Sequence, residues 1–197
     1  MKKVLCLAAA LLALSCVEEG GTTPGKTYPE ATSPANVLKN VEISFNQRNA
    51  GLLDDMLSKG FVFHFDPDDV GQNPPGSHYI IPESWSRAVF TNVVRNMFKE
   101  AYSISLTIPT TSVGEPDPNE TTYDAKNINI KLLVMIDELN GYIADTGYCN
   151  YRFERYDGEG GKKFWRLTGW WDNTSAMYDA YPGVVPTSLG RVLAIYH

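Results

Sequence analysis

The chain has 197 residues, of which 43% are hydrophobic and 12% aromatic, so one domain with a substantial core is expected. Charged residues of both signs make up 20%, which excludes wholesale disorder. The 17 basic and 23 acidic residues give a net charge of −6. Because no cluster of Lys or Arg could neutralise a run of phosphates, we expect no nucleic-acid partner.

The N-terminal residues form a short basic segment followed by an apolar run. Met1-Lys2-Lys3 is a short basic segment, and the apolar run Val4–Leu14 that follows is too short to span a bilayer. The run ends in LALSC, which resembles the lipobox of lipoprotein precursors, with Ala13 where leucine is preferred. The sequence predicts a signal peptide over residues 1–15 and lipidation of Cys16. An ordinary signal peptide cleaved nearby is the alternative.

Residues 16–32 are rich in Gly, Thr, Pro and Glu and show no periodic apolar face, which indicates a flexible tether. The pair Glu18-Glu19 resembles the short acidic signals of some surface-exported lipoproteins. We therefore expect a lipid-anchored protein of the bacterial envelope, attached to the outer membrane and either periplasmic or surface-exposed. In the mature chain Cys149 would have no cysteine partner for a disulfide, and we interpret it as a small buried residue in a strand.

The folded domain is predicted over residues 33–197, with three helices in its N-terminal half. Ser33-Pro34 is a strong helix start, and apolar residues follow it at helical spacing. The segment NAGLLDDMLSKG predicts a short second helix closed by Gly60, followed by a strand over residues 61–66. The segment ESWSRAVFTNVVRNMFKE predicts a third helix, with an apolar residue at every fourth position: Trp85, Val89, Val93 and Met97.

The chain beyond the third helix is predicted to be all strand. The strands correspond to AYSISLTIPTTSV, YDAKNINIKLLVMID, GYIADTGYCNYRFERYD and KFWRLTGWWDN, and they exceed the usual five or six residues. Gly141, Gly147 and Gly169 are suitable positions for bulges or bends. The order of elements predicts an α+β fold, in which a curved antiparallel sheet wraps around the three helices and forms a cone.

This order, from Ser33 to about Asp172, resembles the nuclear transport factor 2-like superfamily, which also contains ketosteroid isomerase and polyketide cyclases. The segments that carry the resemblance are SPANVLKNVEISFNQRN, LLDDMLSKGFVFHF and FWRLTGWWDN. The resemblance implies a cystatin-like cone with an internal cavity, and a homodimer formed through the sheet.

His64 and Asp66 are the first candidates for chemistry. They share one face of the first strand, and three phenylalanines occupy the other. In ketosteroid isomerase a carboxylate in the loop after this strand is the general base, and the resemblance places that role on Asp66 or, less closely, on Asp68. The alternative is that both aspartates start a turn, where Asp and Pro are favoured for backbone reasons.

Asp145 is the second candidate, because strand alternation groups it with an apolar face: Ile143, Gly147, Cys149, Tyr151 and Phe153. If this face lines the cavity, Asp145 points into it. Ketosteroid isomerase uses a protonated aspartate on a late strand to bind an oxyanion, and the resemblance makes Asp145 its analogue. The first helix lacks the tyrosine that would complete that pair, which weakens the analogy. A hydrogen-bonded structural aspartate at a bulge is the alternative.

Aromatic residues of the late strands are interpreted chiefly as core, although they could also line a pocket for a small apolar or aromatic ligand. The candidate ligand-binding residues are His64, Asp66, Asp145, Tyr151 and Trp170. Asp66, Asp68 and Asp69 lack the glycine and glutamate spacing of a calcium loop. His64 with Asp66 would supply too few ligands for a transition metal, so we expect neither a metal nor another cofactor.

The leading hypothesis is a membrane-anchored lipoprotein with a non-catalytic pocket for a small molecule or a partner. One alternative is an isomerase, dehydratase or cyclase that uses Asp66 or His64 as general base with help from Asp145. Another is a structural module that dimerises through its sheet. A deep apolar cone in which these three side chains converge would favour the enzyme, and a cone filled by aromatic side chains would favour the structural module.

Overall fold

The computed structural model describes residues 28–175 and 182–197, apart from the side chain of residue 159. The predicted signal peptide, Cys16 and most of the predicted tether lie outside the described residues. The last part of that tether, residues 28–32, packs on the domain. The Trp165 N–H donates to the Ala31 carbonyl at 2.8 Å, and the Asn40 side-chain amide donates to the Pro29 carbonyl at 2.7 Å. The folded domain therefore includes residues that the sequence had assigned to the tether.

The described residues contain α-helices α1 (Pro34–Asn46), α2 (Ala50–Met56), α3 (Arg87–Glu100) and α4 (Leu189–Ala194). Helix α1 begins as predicted, because the Ser33 hydroxyl accepts a hydrogen bond from the Asn36 N–H and Pro34 occupies the first turn. Helix α2 ends at Met56 rather than at Gly60, since Leu57 is already extended. Helix α3 begins after Trp85, which lies in a strand. Helix α4 was not predicted.

The strands of the described residues are β1 (Leu57–His64), β2 (Ser84–Ser86), β3 (Ser103–Thr107), β4 (Thr122–Ile128), β5 (Lys131–Met135), β6 (Gly141–Ala144), β7 (Thr146–Asp157), β8 (Lys163–Ser175) and β9 (Val184–Pro186). They form a five-stranded sheet in the order β2-β1-β8-β7-β4 and a four-stranded sheet in the order β3-β5-β6-β9.

The two sheets are joined by one bent hairpin. Residues 129 and 130 separate β4 from β5, and Asp145 separates β6 from β7. Strand β4 pairs with β7 whereas β5 pairs with β6, so the hairpin crosses from one sheet to the other. Gly147, next to the break, has a φ of +95°, and the β7–β8 register shifts beside Gly169. The predicted α+β fold with a curved sheet is therefore confirmed.

Two strand pairs differ from the antiparallel sheet that the sequence predicted. Strand β1 lies parallel to β8, and β6 lies parallel to β9. In neither pair are the two strands neighbours in sequence, so no tight turn imposes an antiparallel arrangement. The sheet is mixed for that reason.

The helices pack on the inner face of the five-stranded sheet. Val41 of α1 and Val93 of α3 are fully buried there, as predicted. Along β1 and the residue after it, Phe61, Phe63 and Phe65 face this core, whereas the residues between them are partly exposed. Within the described part of the chain, no helix has the length and apolar character needed to cross a membrane.

Candidate functional site

A row of four side chains crosses the outer face of the five-stranded sheet: His64 on β1, Trp171 on β8, Arg152 on β7 and Asp124 on β4. The strand register brings them together, because His64 pairs with Trp171 and Arg152 pairs with Asp124. Alternation in each strand then points these side chains away from the core. We call this set the outer row.

The rings of His64 and Trp171 are stacked, with centroids 4.7 Å apart and planes inclined by 2°. The indole ring lies over Gly169, where a Cβ atom would come within 2.4 Å of it, so this position must lack a side chain. Burial lowers the pKa of the His64 imidazole below its ordinary value of 6.5. His64 is therefore mostly neutral at pH 7.

Arg152 forms the other half of the outer row. Its guanidinium carbon lies 5.6 Å from the centre of the Trp171 ring, within the range of a cation–π interaction. The same group donates two hydrogen bonds to the Asp124 carboxylate, at 2.7 and 2.8 Å. These bonds lower the pKa of Asp124. The row is consequently a preorganised chain of contacts across four strands.

Two open cavities border Trp171. The larger, of about 450 Å³, is lined by His64, Phe65, Pro67, Val70, Glu83, Trp171, Asp172 and Asn173. We call it the outer groove. The smaller, of about 250 Å³, is lined by Asp124, Lys126, Asn150, Tyr151, Arg152 and Trp171. The outer groove combines an apolar wall with an imidazole, two carboxyl groups and an amide, which is the composition of small-molecule sites.

Aromatic rings fill the space between β1, β8 and α3. The Phe63 ring contacts the rings of Trp85, Phe90 and Trp170 at centroid distances of 5.4 to 6.0 Å. Tyr151 packs on Trp170 at 5.2 Å. Trp170 is 0% and Tyr151 1% exposed, so neither of these two predicted binding residues presents its ring to solvent.

The predicted acid–base residues lie in separate places. Asp66 accepts a hydrogen bond from the Asp68 N–H at 2.9 Å, which is a turn contact, and burial raises the pKa of its carboxyl group. Asp145 lies at the bend of the hairpin, where one carboxylate oxygen is 3.9 Å from the Lys131 ammonium. His64 stacks on Trp171. None of the described hydrogen bonds joins any two of His64, Asp66 and Asp145.

Asp172, on β8, is a buried acid that was not among the residues predicted from the sequence. It is 1% exposed, and its carboxylate accepts hydrogen bonds from the Thr174 N–H and hydroxyl and from the Gly190 N–H. Burial raises its pKa to about 7. The available signal was strand alternation, since Trp170, Asp172 and Thr174 share the buried face and Asp172 is the charged residue among them.

Cys149, predicted to be a buried strand residue, is fully buried on β7 opposite Asp172. Burial raises the pKa of its thiol well above the ordinary range, and the Asp172 charge adds to that rise. The thiol is thus not activated as a nucleophile. In residues 28–175 and 182–197, no three His, Cys, Asp or Glu side chains are grouped so as to hold a metal ion.

Comparisons with known proteins find similarity among solved structures. No protein-family model matches the chain, and no curated protein is significantly similar to it. A nuclear transport factor 2-like superfamily protein from Salmonella enterica is 10% identical, with a TM-score of 0.45 over 74% of this chain and 91% of that one. A nuclear transport factor 2-like protein of unknown function from Shewanella baltica is 12% identical, with a TM-score of 0.40 over 72% and 90%.

A conserved protein from Planctomyces limnophilus is also similar, at 12% identity and a TM-score of 0.45 over 68% of this chain and 88% of that one. All three of these TM-scores are below 0.5.

Proposed function

We propose that this chain is a non-catalytic binding module that holds a small molecule in the outer groove and is tethered to the bacterial envelope by a lipid on Cys16. The observation that carries the proposal is the stacked pair of His64 and Trp171, which forms one wall of an open groove of about 450 Å³. Sites for small molecules have volumes of about 300–1,000 Å³. The groove is thus large enough for a ligand with one or two rings.

The lining of the outer groove defines the ligand chemistry. Pro67 and Val70 supply apolar contact beside the Trp171 ring, and His64 is mostly neutral at pH 7. Glu83 supplies a carboxylate on an exposed segment. We therefore propose a ligand with a flat apolar part and a positively charged amino group directed at Glu83.

The positions of the predicted acid–base residues support a binding role over a catalytic one. A general base must lie within hydrogen-bond reach of its substrate, and an acid–base pair must converge on one substrate. Asp66 serves a turn, Asp145 lies beside Lys131, and His64 uses its ring face to stack. This arrangement gives no support to an isomerase, dehydratase or cyclase that combines these residues.

The filled interior supports a second candidate function, a structural module that dimerises through the outer face of the five-stranded sheet. In such a dimer the outer row would lie at the interface. The substitution Arg152→Glu would place a second carboxylate beside Asp124, and the repulsion between these charges would separate the subunits. Analytical ultracentrifugation of the wild type and Arg152→Glu tests this candidate. A wild-type monomer at tens of micromolar would contradict it.

A matched pair of probes tests the binding proposal. Tyramine and 4-hydroxyphenylacetate have similar size and one ring each, but opposite charges. We expect isothermal titration calorimetry to show tighter binding of tyramine to the mature protein, and Glu83→Gln to remove the preference. Equal affinities for both probes, or a preference for the anion, would contradict the proposed ligand chemistry.

A further inference from the structure

The smaller cavity beside Trp171 presents several hydrogen-bond donors. Its residues are Asp124, Lys126, Asn150, Tyr151, Arg152 and Trp171, and we call it the donor cavity. Lys126 and Arg152 carry two positive charges and Asp124 one negative charge, which leaves one net positive charge among these side chains. At about 250 Å³, the donor cavity is smaller than sites that hold a whole small molecule. Its size and charge therefore suit the anionic end of a larger ligand.

The side-chain amide of Asn150 is oriented by an irregularity in the neighbouring strand. Asn127 has a φ of +57°, and the β4–β7 register shifts beside it. The Asn127 N–H donates to the Asn150 side-chain oxygen at 2.8 Å. Because a backbone N–H can only donate, Asn150 must present its oxygen there, which leaves both N–H groups of Nδ2 for another acceptor. None of the hydrogen bonds made by the described residues uses these two donors.

Arg152 and Lys126 supply the other donors of the cavity. The Asp124 carboxylate accepts from Nε and Nη2 of Arg152, so Nη1 takes no part in that pair. The hydrogen bonds from Arg152 and, to a smaller extent, the charge of Lys126 lower the pKa of Asp124. Among the ion pairs of residues 28–175 and 182–197, none includes Lys126. The single carboxylate of the cavity is thus already paired, while the Nη1, Nδ2 and ammonium donors remain for an anion.

The donor cavity and the outer groove lie on opposite sides of Trp171. His64 of the groove is on β1 and Arg152 of the donor cavity is on β7, and these two strands flank β8. Neighbouring strands are about 4.8 Å apart, so the two sites are about 10 Å apart across the sheet. Three extended residues also span about 10 Å. A ligand of the length of a tripeptide therefore reaches from one site to the other.

We propose that the donor cavity binds the carboxylate of the same ligand whose amino group is directed at Glu83. The ligand is then a short zwitterion, such as a peptide with a free amino group on an aromatic first residue. This inference rests on the proposed binding role and specifies its ligand. The carboxylate of 4-hydroxyphenylacetate is on the carbon attached to its ring, so from the outer groove it is too close to the ring to reach the donor cavity.

A matched pair of peptides tests the carboxylate subsite on the mature protein. Tyr-Gly-Gly contains the skeleton of tyramine, and its free-acid and C-terminally amidated forms differ only in the terminal carboxylate. We expect isothermal titration calorimetry to show about threefold to fivefold tighter binding of the free acid, because exposed ion pairs are weak.

Two lysine variants locate the effect. Lys126→Met should lower the affinity for the free acid to that for the amide and leave the amide affinity unchanged. Lys99→Met removes the same charge from an exposed position at the end of α3, so it should keep the difference between the peptides. In NMR spectra the Asn150 side-chain amide signals should shift on addition of the free acid and much less on addition of the amide.

The outcomes separate this inference from the binding role on which it rests. Binding of tyramine with equal affinities for the two peptides would overturn the carboxylate subsite and leave the outer groove in place. A preference for the free acid that persists in Lys126→Met would overturn it as well. Failure of tyramine and of both peptides to bind would contradict the binding role and the subsite together.

Discussion

The imidazole of His64 and the indole of Trp171 are stacked 4.7 Å apart and nearly parallel, on adjacent strands of the five-stranded sheet. The stack depends on Gly169, over which the indole lies, and it continues through Arg152 to Asp124. One wall of the outer groove is thus fixed by contacts that exist without a ligand. Such preorganisation lowers the conformational cost of binding.

The stacked position of His64 gives a testable pKa. Burial lowers the pKa of His64 in the folded protein below its ordinary value of 6.5. As pH falls below about 6.5, the unfolded state therefore binds a proton more readily than the folded state, and the free energy of unfolding decreases. In Trp171→Gly the imidazole becomes solvated, and its pKa should rise toward 6.5. NMR titration of the His64 ring in both proteins measures this. A wild-type pKa of 6.5 or above would contradict the burial of the stack.

The core positions of the helices predict the cost of removing methyl groups. Val41 is 0% and Val93 1% exposed, so Val→Ala at either position should reduce the free energy of unfolding by about 1–3 kcal/mol. Val185, 48% exposed, provides the matched control, and its replacement by Ala should cost less than about 0.5 kcal/mol. Urea unfolding of the three variants is the measurement. Equal midpoints in all three would show that the helical faces are misassigned.

Asp145 should tolerate removal of its charge. Its described contacts are the Lys131 ammonium at 3.9 Å and the Thr146 hydroxyl at 3.4 Å, both weak and partly exposed. Asp145→Asn should therefore change the free energy of unfolding by less than about 1 kcal/mol. Chemical denaturation measures the difference. A loss above that value would indicate that this carboxylate holds the hairpin bend together.

The proposed lipid anchor is tested at Cys16. Cys16→Ala should release the protein from the membrane fraction as a folded domain, because the described residues pack around a buried core of their own. Cell fractionation and circular dichroism of the released protein provide the measurement. Continued membrane association of this variant would argue against lipidation at Cys16.

Local sequence signals predicted the start of the fold well. Ser33-Pro34 specifies the beginning of α1, and the spacing of its apolar residues specifies its buried face. Alternation also separated the phenylalanines of β1 from His64. It did not identify which of the two faces is buried, because that depends on the parallel pairing of β1 with β8.

The functional residues were harder to predict, because their contacts join distant parts of the chain. Alternation assigned Asp145 to the face of Tyr151, but the strand breaks at Asp145 and the alternation is interrupted there. Asp172 accepts a hydrogen bond from the Gly190 N–H, and Gly190 belongs to a six-residue helix that is too short to show a helical period in the sequence. The stack of Trp171 on His64 requires a strand register that no local pattern contains.

The proposed binding role places a small cationic ligand in the outer groove and not in the interior. The most direct measurement is an NMR titration of the mature protein with tyramine, following the indole N–H signals of Trp170 and Trp171 and the ring signals of His64. We expect saturable shifts at Trp171 and His64, none at the buried Trp170, and loss of these shifts in Gly169→Ala, where the added Cβ displaces the indole. Shifts confined to Trp170, or no saturable shift at Trp171, would contradict binding in the outer groove.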